Sequence, residues 1–187
     1  DINKDGLDDF FICDAKGQRG ELMVQQQNGK FVSISTAPFT VHADAEDIDA
    51  VFFDANNDSF PDLYVVSGGN EIEDGNPNLA DRLYMNDGKG NFTYAVKSMP
   101  SIQTNKTCVS VADVNKDGAI DIFAGGFAEA KKYGIPQASY LLLNDGKGNF
   151  MVGAEFGLPN WPTRNLSIAD INSDGLPDII LANRGKS

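Results

Sequence analysis

The acidic pattern D-x-N-x-D-x-x-x-D occurs four times along the chain, and it constrains the architecture more than any other feature. The copies read DINKDGLDD from Asp1, DANNDSFPD from Asp54, DVNKDGAID from Asp113 and DINSDGLPD from Asp170. Their starts are separated by 53, 59 and 57 residues. A period of this length predicts stacked or radial structural units, each of which packs against its neighbours.

A second element repeats in step with the first. YMNDGKGNF ends at Phe92 and LLNDGKGNF ends at Phe150, 58 residues later, with a weaker counterpart, QQQNGKF, ending at Phe31. Asn, Asp and Gly between apolar runs predict tight hairpins, because these residues tolerate the positive φ values of such turns. The unit that starts at Lys106 then contains four short strands, TCVSVA, IFAGGF, SYLLL and NFMVGA, and no segment has a convincing helical pattern.

Four-stranded units at a period above about 40 residues favour a β-propeller over a solenoid or a sandwich. Apolar strands flank the acidic loop, as in SVADVNKDGAIDIFAGG and SIADINSDGLPDIILA. In these features the chain resembles the FG-GAP/VCBS repeat family, which includes the heads of integrin α subunits, and the resemblance covers essentially the whole chain. It implies an all-β fold, a β-propeller of four-stranded antiparallel blades.

The chain length limits how much of a propeller can be present. Four units of about 57 residues need roughly 228 residues, which is more than the chain has. We therefore expect a partial, open propeller segment of one domain, with part of a blade at 1–40, blades at 41–100 and 101–160, and part of a blade at 161–187. We expect the remaining blades in the same longer chain.

The acidic loops have the composition of a site for a hard cation. Ca²⁺ needs oxygen ligands, here at positions one, three and five of a tight loop, with a carbonyl near position seven and a closing carboxylate. The family resemblance implies ligands at positions one, three, five, seven and nine, the seventh through its backbone oxygen. These residues are Asp1, Asn3, Asp5, Leu7 and Asp9; Asp54, Asn56, Asp58, Phe60 and Asp62; Asp113, Asn115, Asp117, Ala119 and Asp121; and Asp170, Asn172, Asp174, Leu176 and Asp178. We predict up to four bound Ca²⁺ ions.

Two other structures could explain an acidic loop. A single copy could be an Asn/Asp-rich surface turn held by side-chain hydrogen bonds, but four copies in register favour metal binding. An EF-hand fits poorly, because its twelfth position is a bidentate Glu and its loop lies between helices. The twelfth positions here are Ile12, Val65, Ala124 and Leu181.

The loop from Asp54 departs from the other three at position six. Ser59 stands where the other loops have Gly6, Gly118 and Gly175. A residue other than glycine at positive φ costs on the order of 1 kcal/mol or more. We therefore predict that the loop from Asp54 binds Ca²⁺ most weakly.

The charge of the chain excludes several classes of partner. There are 27 acidic and 15 basic residues, and the net charge of -12 disfavours nucleic acid, anionic membrane surfaces and polyanionic substrates. No run of about 18 apolar residues could serve as a transmembrane segment. Calcium modules with affinities of about 10⁻⁴ to 10⁻³ M do not fill in cytosol, so we expect an exported protein that is extracellular, on the cell surface or periplasmic.

In an antiparallel blade, the acidic loops and the hairpins share one rim. The opposite rim carries the dissimilar segments SGGNEIEDGNPNLAD and AEAKKYGIPQA and the connectors around His42, Met99 and Trp161. Irregular loops on a rigid scaffold are where recognition usually occurs, so we expect a protein or carbohydrate ligand to bind there.

Individual residues of this rim allow more than one interpretation. Trp161 could contact a ligand, although a cap between blades is favoured, and Tyr133 beside Lys131 and Lys132 is ambiguous in the same way. The acidic segment 71–74, with Glu71, Glu73 and Asp74, could bind a cation, although a solvated loop is favoured.

The sequence gives little support for catalysis. His42 is the only histidine, and there is no G-x-S-x-G elbow. The preferred interpretation is a non-catalytic, calcium-stabilised recognition module, and the alternative is part of a propeller-type polysaccharide lyase or hydrolase. A base, an Arg and a Tyr facing a cleft would favour the enzyme. Cys13 and Cys108 lie in apolar strand-like runs and are expected to be buried free thiols.

Overall fold

The computed structural model describes residues 1–34, 37–132, 134–157 and 162–183. These residues form thirteen β-strands in four antiparallel sheets, and their helical structure is limited to two short segments. The predicted all-β fold, a partial propeller of antiparallel blades, is confirmed. We call the sheets blades 1 to 4 in chain order.

The strands follow one another across each sheet in sequence order. Blade 1 contains β1 (Phe10–Ile12), β2 (Glu21–Gln25) and β3 (Phe31–Ile34). Blade 2 contains β4 (Asp47–Phe53), β5 (Asp62–Ser67), β6 (Arg82–Asn86) and β7 (Phe92–Tyr94). Blade 3 contains β8 (Lys106–Ala112), β9 (Asp121–Gly126), β10 (Ser139–Asn144) and β11 (Phe150–Phe156). Blade 4 contains β12 (Thr163–Ala169) and β13 (Asp178–Asn183), and the short helices are α1 (Ala37–Thr40) and a 3₁₀ turn (Pro77–Leu79).

The second strand of each complete blade is buried on both faces. In β5, Leu63 and Val65 pack in an apolar cluster with blade 1, whereas Tyr64 and Val66 pack in a second cluster with blade 3. Successive side chains of a strand point to opposite faces, so a strand between two neighbouring blades needs apolar residues at every position. This explains why the sequence shows apolar runs here and no alternation.

The hydrophobic core lies between the blades. One cluster joins Ile2 and Leu22 of blade 1 to blade 2, a second joins blade 2 to Ile122 and Leu142, and a third joins blade 3 to Leu166 of blade 4. The first strand of blade 3, β8, packs against both β4 and β12, the first strands of its neighbours. Each fully buried Leu or Ile contributes about 1.5–3 kcal/mol, so the blades stabilise one another.

The topology places the two repeated elements on one rim. The acidic loops connect β4 to β5, β8 to β9 and β12 to β13, and the NDGKG hairpins connect β6 to β7 and β10 to β11. The opposite rim carries the connections between second and third strands and between consecutive blades. The arrangement of the two rims agrees with the sequence prediction.

The two cysteines are unpaired, with Cys108 buried and Cys13 half-buried. Burial, followed by the negative charges of Asp47 and Asp49, raises the pKa of Cys13 to about 12. Burial also raises the pKa of Cys108 to about 11. Both side chains are therefore neutral thiols at physiological pH, with little nucleophilic character.

No helix among the described residues combines the length and the apolar character that crossing a membrane requires.

Candidate metal centres

The four acidic loops share a backbone conformation with two left-handed residues each. At position six, φ is 84°, 68°, 86° and 81° for Gly6, Ser59, Gly118 and Gly175. At position four, φ is 59°, 61°, 61° and 61° for Lys4, Asn57, Lys116 and Ser173. The glycines at position six of three loops indicated the left-handed conformation at that position. Position four could not be found in this way, because Lys, Asn and Ser share no signal for positive φ there.

The side chains of positions one, three and five lie together over the turn. In the loop from Asp113, Oδ1 of Asp113 and Oδ1 of Asn115 both accept the N–H of Asp117, at 3.1 and 3.0 Å. Oδ2 of Asp113 accepts the N–H of Gly118 at 2.9 Å, and Oδ1 of Asp117 accepts the N–H of Ala119 at 2.8 Å. The same four bonds occur in the other loops, at 2.7–3.2 Å. The predicted side-chain ligands of each loop are thus held close to one another.

The carboxylate of position nine ties its loop to the rest of the blade. Asp62 accepts N–H groups from Ala55 at 3.0 Å and from Asn86 at 2.8 Å. Asp121 is bonded in the same way to Val114 and Asn144, at 3.1 and 2.9 Å. Asp62 and Asp121 are almost completely buried. Position nine was predicted only as a ligand, and the structure adds this structural role.

Within the described ranges, no ion pair involves a carboxylate of an acidic loop. Burial raises the pKa of Asp62 to about 6; N–H groups of Asn86 and Ala55 lower it, and the charges of Asp58 and Asp54 raise it further. Burial likewise raises the pKa of Asp121, and Asp117 and Asp113 add to the effect. A divalent cation at these loops would therefore remove a repulsion that the fold otherwise has to tolerate.

The donor atoms of each loop fit a hard cation. Positions one, five and nine supply carboxylates, position three supplies an amide oxygen, and position seven supplies a backbone oxygen, which together make a set of oxygen ligands. Among the described residues, no three His, Cys, Asp or Glu side chains lie around one point where they could hold a metal ion. Any site in these loops therefore depends on the amide and backbone oxygens as well as on the carboxylates.

Each NDGKG hairpin supplies a buried asparagine that the sequence did not mark as part of the site. Asn144 donates from Nδ2 to the carbonyl oxygens of Ala55 and Ile120, at 2.8 and 3.0 Å. Asn86 donates from Nδ2 to those of Ile2 and Pro61, at 2.8 and 3.0 Å. Each asparagine thus joins the acidic loop of its own blade to that of the preceding blade.

A groove gives solvent access to the loop from Asp113. It has a volume of about 370 Å³ and is lined by Asn57, Asp117, Asp145 and Lys147, among others. The carboxylate of Asp145 accepts from Asn149 at 2.8 Å and caps the hairpin. The groove is a route by which an ion could reach the predicted ligands.

The opposite rim is held together by contacts between blades 2 and 3. Lys131 pairs with Glu73 at 2.7 Å, and Gln137 donates to Asp74 at 2.7 Å. A cleft of about 430 Å³ lies here, lined by Glu73, Asp74, Glu129, Ala130, Lys131 and Lys132. Glu73 and Asp74 thus have partners from blade 3. Trp161, favoured as a cap between blades, and Tyr133, left ambiguous by the sequence, lie outside the described residues.

A base, an arginine and a tyrosine come together at His42, and the arginine and the tyrosine are buried. Nδ1 of His42 lies 2.9 Å from the hydroxyl of Tyr84, and Arg82 donates to Asp47 at 2.7 Å. Tyr84 is 1% exposed and Arg82 is 4% exposed, whereas His42 is half-buried. Tyr84 also packs in the apolar cluster that joins blades 1 and 2.

Comparison with known families agrees with the repeat seen in the sequence. A family model described as an FG-GAP-like repeat matches residues 1–65 and again residues 54–124. The matches together cover residues 1–124 of the 187. No curated protein matches the chain.

Proposed function

The chain belongs to the FG-GAP-like repeat family, and from this we propose that it is a calcium-stabilised section of a β-propeller in an exported protein. The observation that carries the proposal is the repeated loop. Four loops hold two carboxylates and an amide oxygen around one turn with the same hydrogen bonds. The role of the ions is to offset the repulsion of these carboxylates and so to stabilise the fold.

Thermal unfolding in Ca²⁺ and in EDTA tests the proposed stabilisation. Binding of one ion at about 100 times its Kd adds about 2.7 kcal/mol, which raises the Tm of a domain this size by about 5–10 °C. The control is a variant with Asn at position five of all four loops, which removes four carboxylates without changing side-chain size. Equal Tm values in Ca²⁺ and EDTA for the native chain contradict the proposal.

The affinities that are typical of extracellular calcium modules support the proposal that the protein is exported. Calcium modules of extracellular proteins bind at about 10⁻⁴ to 10⁻³ M, a concentration that extracellular fluid supplies and cytosol does not. We place the protein outside the cell, on its surface or in a periplasm. Site-specific Kd values below about 10⁻⁶ M would remove this argument.

The rim opposite the acidic loops is the proposed surface for a protein or glycan ligand. Its loops differ between blades, and the contacts of Lys131, Glu73 and Gln137 fix them to the scaffold. Loops of this kind commonly carry recognition. The labelled chain is screened on glycan and extracellular-protein arrays in Ca²⁺, and each ligand found is tested again with two double variants.

The two variants differ only in the rim that they change. Lys131→Ala with Lys132→Ala removes two exposed charges from the proposed surface, and Lys89→Ala with Lys147→Ala removes two from the hairpin rim. Binding that only the first variant loses supports the proposal. Binding that only the second loses places recognition on the hairpin rim.

We propose further blades in the same longer chain, and exposed apolar side chains on β1 and β13 support this proposal. Phe10 and Ile12 on β1 are 41% and 43% exposed, and Ile180 on β13 is 44% exposed. The equivalent strands β5 and β9 are completely buried by their neighbours. Additional blades would cover β1 and β13 in the same way.

The alternative of a propeller-type lyase or hydrolase has no support from the described residues. Its expected signature is a base with Arg and Tyr in a cleft. Among the described residues His42, Arg82 and Tyr84 come together, but Arg82 and Tyr84 are buried and do not face a cleft. The recognition module is therefore the function that the geometry supports best.

A further inference from the structure

Asn144 has every polar atom of its side chain engaged at the contact between blades 2 and 3. Nδ2 donates to Ala55 of one acidic loop and to Ile120 of the next, and Oδ1 accepts the N–H of Gly146 at 3.0 Å. The residue is 5% exposed. A buried amide with complete hydrogen bonding has one favourable position. If one loop moves, Asn144 moves with it, and its hydrogen bond to the other loop is weakened.

The backbone of Asn144 adds a direct connection to a predicted ligand. Its N–H donates to Oδ1 of Asp121, the carboxylate at position nine, at 2.9 Å. The carbonyl of Ala55 belongs to position two of the preceding loop, directly after its first ligand, Asp54. The asparagine therefore lies between ligand-bearing segments of two loops.

The arrangement recurs at Asn86, which is 4% exposed. Its side chain joins Ile2 of the first loop to Pro61 of the second, and its N–H donates to Asp62.

We propose that Asn86 and Asn144 couple Ca²⁺ binding between adjacent loops, so that an ion in one loop increases the affinity of the next. The inference rests on the proposed calcium binding. An ion fixes the backbone of its loop and with it the carbonyl and carboxylate that hold the asparagine. The asparagine then holds the corresponding groups of the neighbouring loop in their binding positions.

The amide resonance of Gly118 in the ¹⁵N-labelled chain reports on the loop from Asp113, because this N–H donates to Asp113. Ca²⁺ is titrated into the native chain and into Asp58→Asn, and into both of these again with Asn144→Ala. Asp58→Asn disables the neighbour joined through Asn144. It removes the same negative charge with and without Asn144, so its long-range electrostatic effect cancels in the comparison.

The coupling predicts a large effect only when Asn144 is present. Asp58→Asn should weaken binding at the loop from Asp113 by about fivefold or more, which is the lower end of ordinary coupling between sites. In an Asn144→Ala background the effect of Asp58→Asn should disappear. The Ser59 amide, with Asp5→Asn as the disabling variant, gives a second measurement through Asn86 if Asn144→Ala does not fold.

The outcomes separate this inference from the proposed function. No effect of Asp58→Asn in the native chain, or an effect that persists in Asn144→Ala, overturns the coupling and leaves calcium binding in place. If no loop amide responds to Ca²⁺ at about 10 mM, calcium binding itself fails and the coupling fails with it.

Discussion

Nζ of Lys106, at the start of β8, lies 3.4 Å from Oδ1 of Asp81, which precedes β6 in the neighbouring blade, and neither side chain reaches solvent to any extent. The ammonium group also donates to the carbonyl oxygens of Leu79, Ile102 and Thr104, at 3.0, 3.1 and 2.8 Å. Asp81 in turn accepts from the hydroxyl of Tyr64 at 2.7 Å. The contact between blades 2 and 3 is therefore both apolar and ionic.

Replacement of Lys106 by Met should destabilise the fold by about 3–5 kcal/mol. Met fills a similar volume, but it leaves the Asp81 carboxylate and the three carbonyl oxygens without a buried cation. Urea unfolding in saturating Ca²⁺ measures the loss. Lys131→Met is the matched control, because Lys131 and Glu73 form an exposed pair, which contributes about 0–1 kcal/mol. A similar loss in both variants contradicts the assigned role of Lys106.

The sequence predicted the parts of this structure that repeat. Three glycines at position six indicated the left-handed turn, and the apolar runs around each loop indicated buried strands. The additional bonds of Asp62 and Asp121 could not be predicted, because their partners Asn86 and Asn144 are 24 and 23 residues away on the third strand. Lys106 reads as a solvated strand end, and only the tertiary arrangement of three carbonyl oxygens makes it a buried cation.

Ser59→Gly should stabilise the fold by about 1 kcal/mol or somewhat less. Ser59 has φ 68°, where glycine has no steric cost, although glycine also increases the entropy of the unfolded chain. The reciprocal change, Gly118→Ser at φ 86°, should destabilise the fold by a similar amount. Urea unfolding of both variants in EDTA isolates this backbone effect from metal binding. Opposite signs are expected, and equal signs contradict the strain at Ser59.

The prediction that the loop from Asp54 binds Ca²⁺ most weakly is tested separately. The amides of Gly6, Ser59, Gly118 and Gly175 each donate to the position-one carboxylate of their own loop, so each reports on one loop. In a Ca²⁺ titration of the native chain, the Ser59 amide should respond at the highest concentration. A response at the same or a lower concentration than the other three refutes the prediction.

Gly88→Ala should destabilise the fold more than Gly146→Ala. Both glycines have φ 74°, so the backbone cost of alanine is the same at the two positions. A Cβ at Gly88 would overlap the Phe60 ring, whereas a Cβ at Gly146 would lie 3.3 Å from the Asn57 side chain. The difference isolates the overpacking of Phe60 and should be about 1–3 kcal/mol in urea unfolding. Equal losses would show that the Phe60 ring moves aside freely.

His42 should make the stability of the fold depend on pH below neutrality. Burial and then the charge of Arg82 lower the pKa of His42, while the carbonyl of Pro38 and the charge of Asp47 oppose the shift. In the unfolded chain the imidazole takes up a proton near pH 6.5, so between that pH and the lower folded pKa the unfolded state binds more protons. Stability is therefore complete above about pH 6.5 and falls as the pH decreases.

The measurement is urea unfolding of the native chain and His42→Gln between about pH 7.5 and about pH 5.5, in saturating Ca²⁺. The carboxylates titrate in both proteins, so their contribution cancels in the difference. Relative to His42→Gln, the native chain should lose stability as the pH falls, because a charged imidazole is disfavoured beside Tyr84 and Arg82. A difference that does not change with pH, or that changes in favour of the native chain, contradicts a neutral, half-buried His42 beside Tyr84.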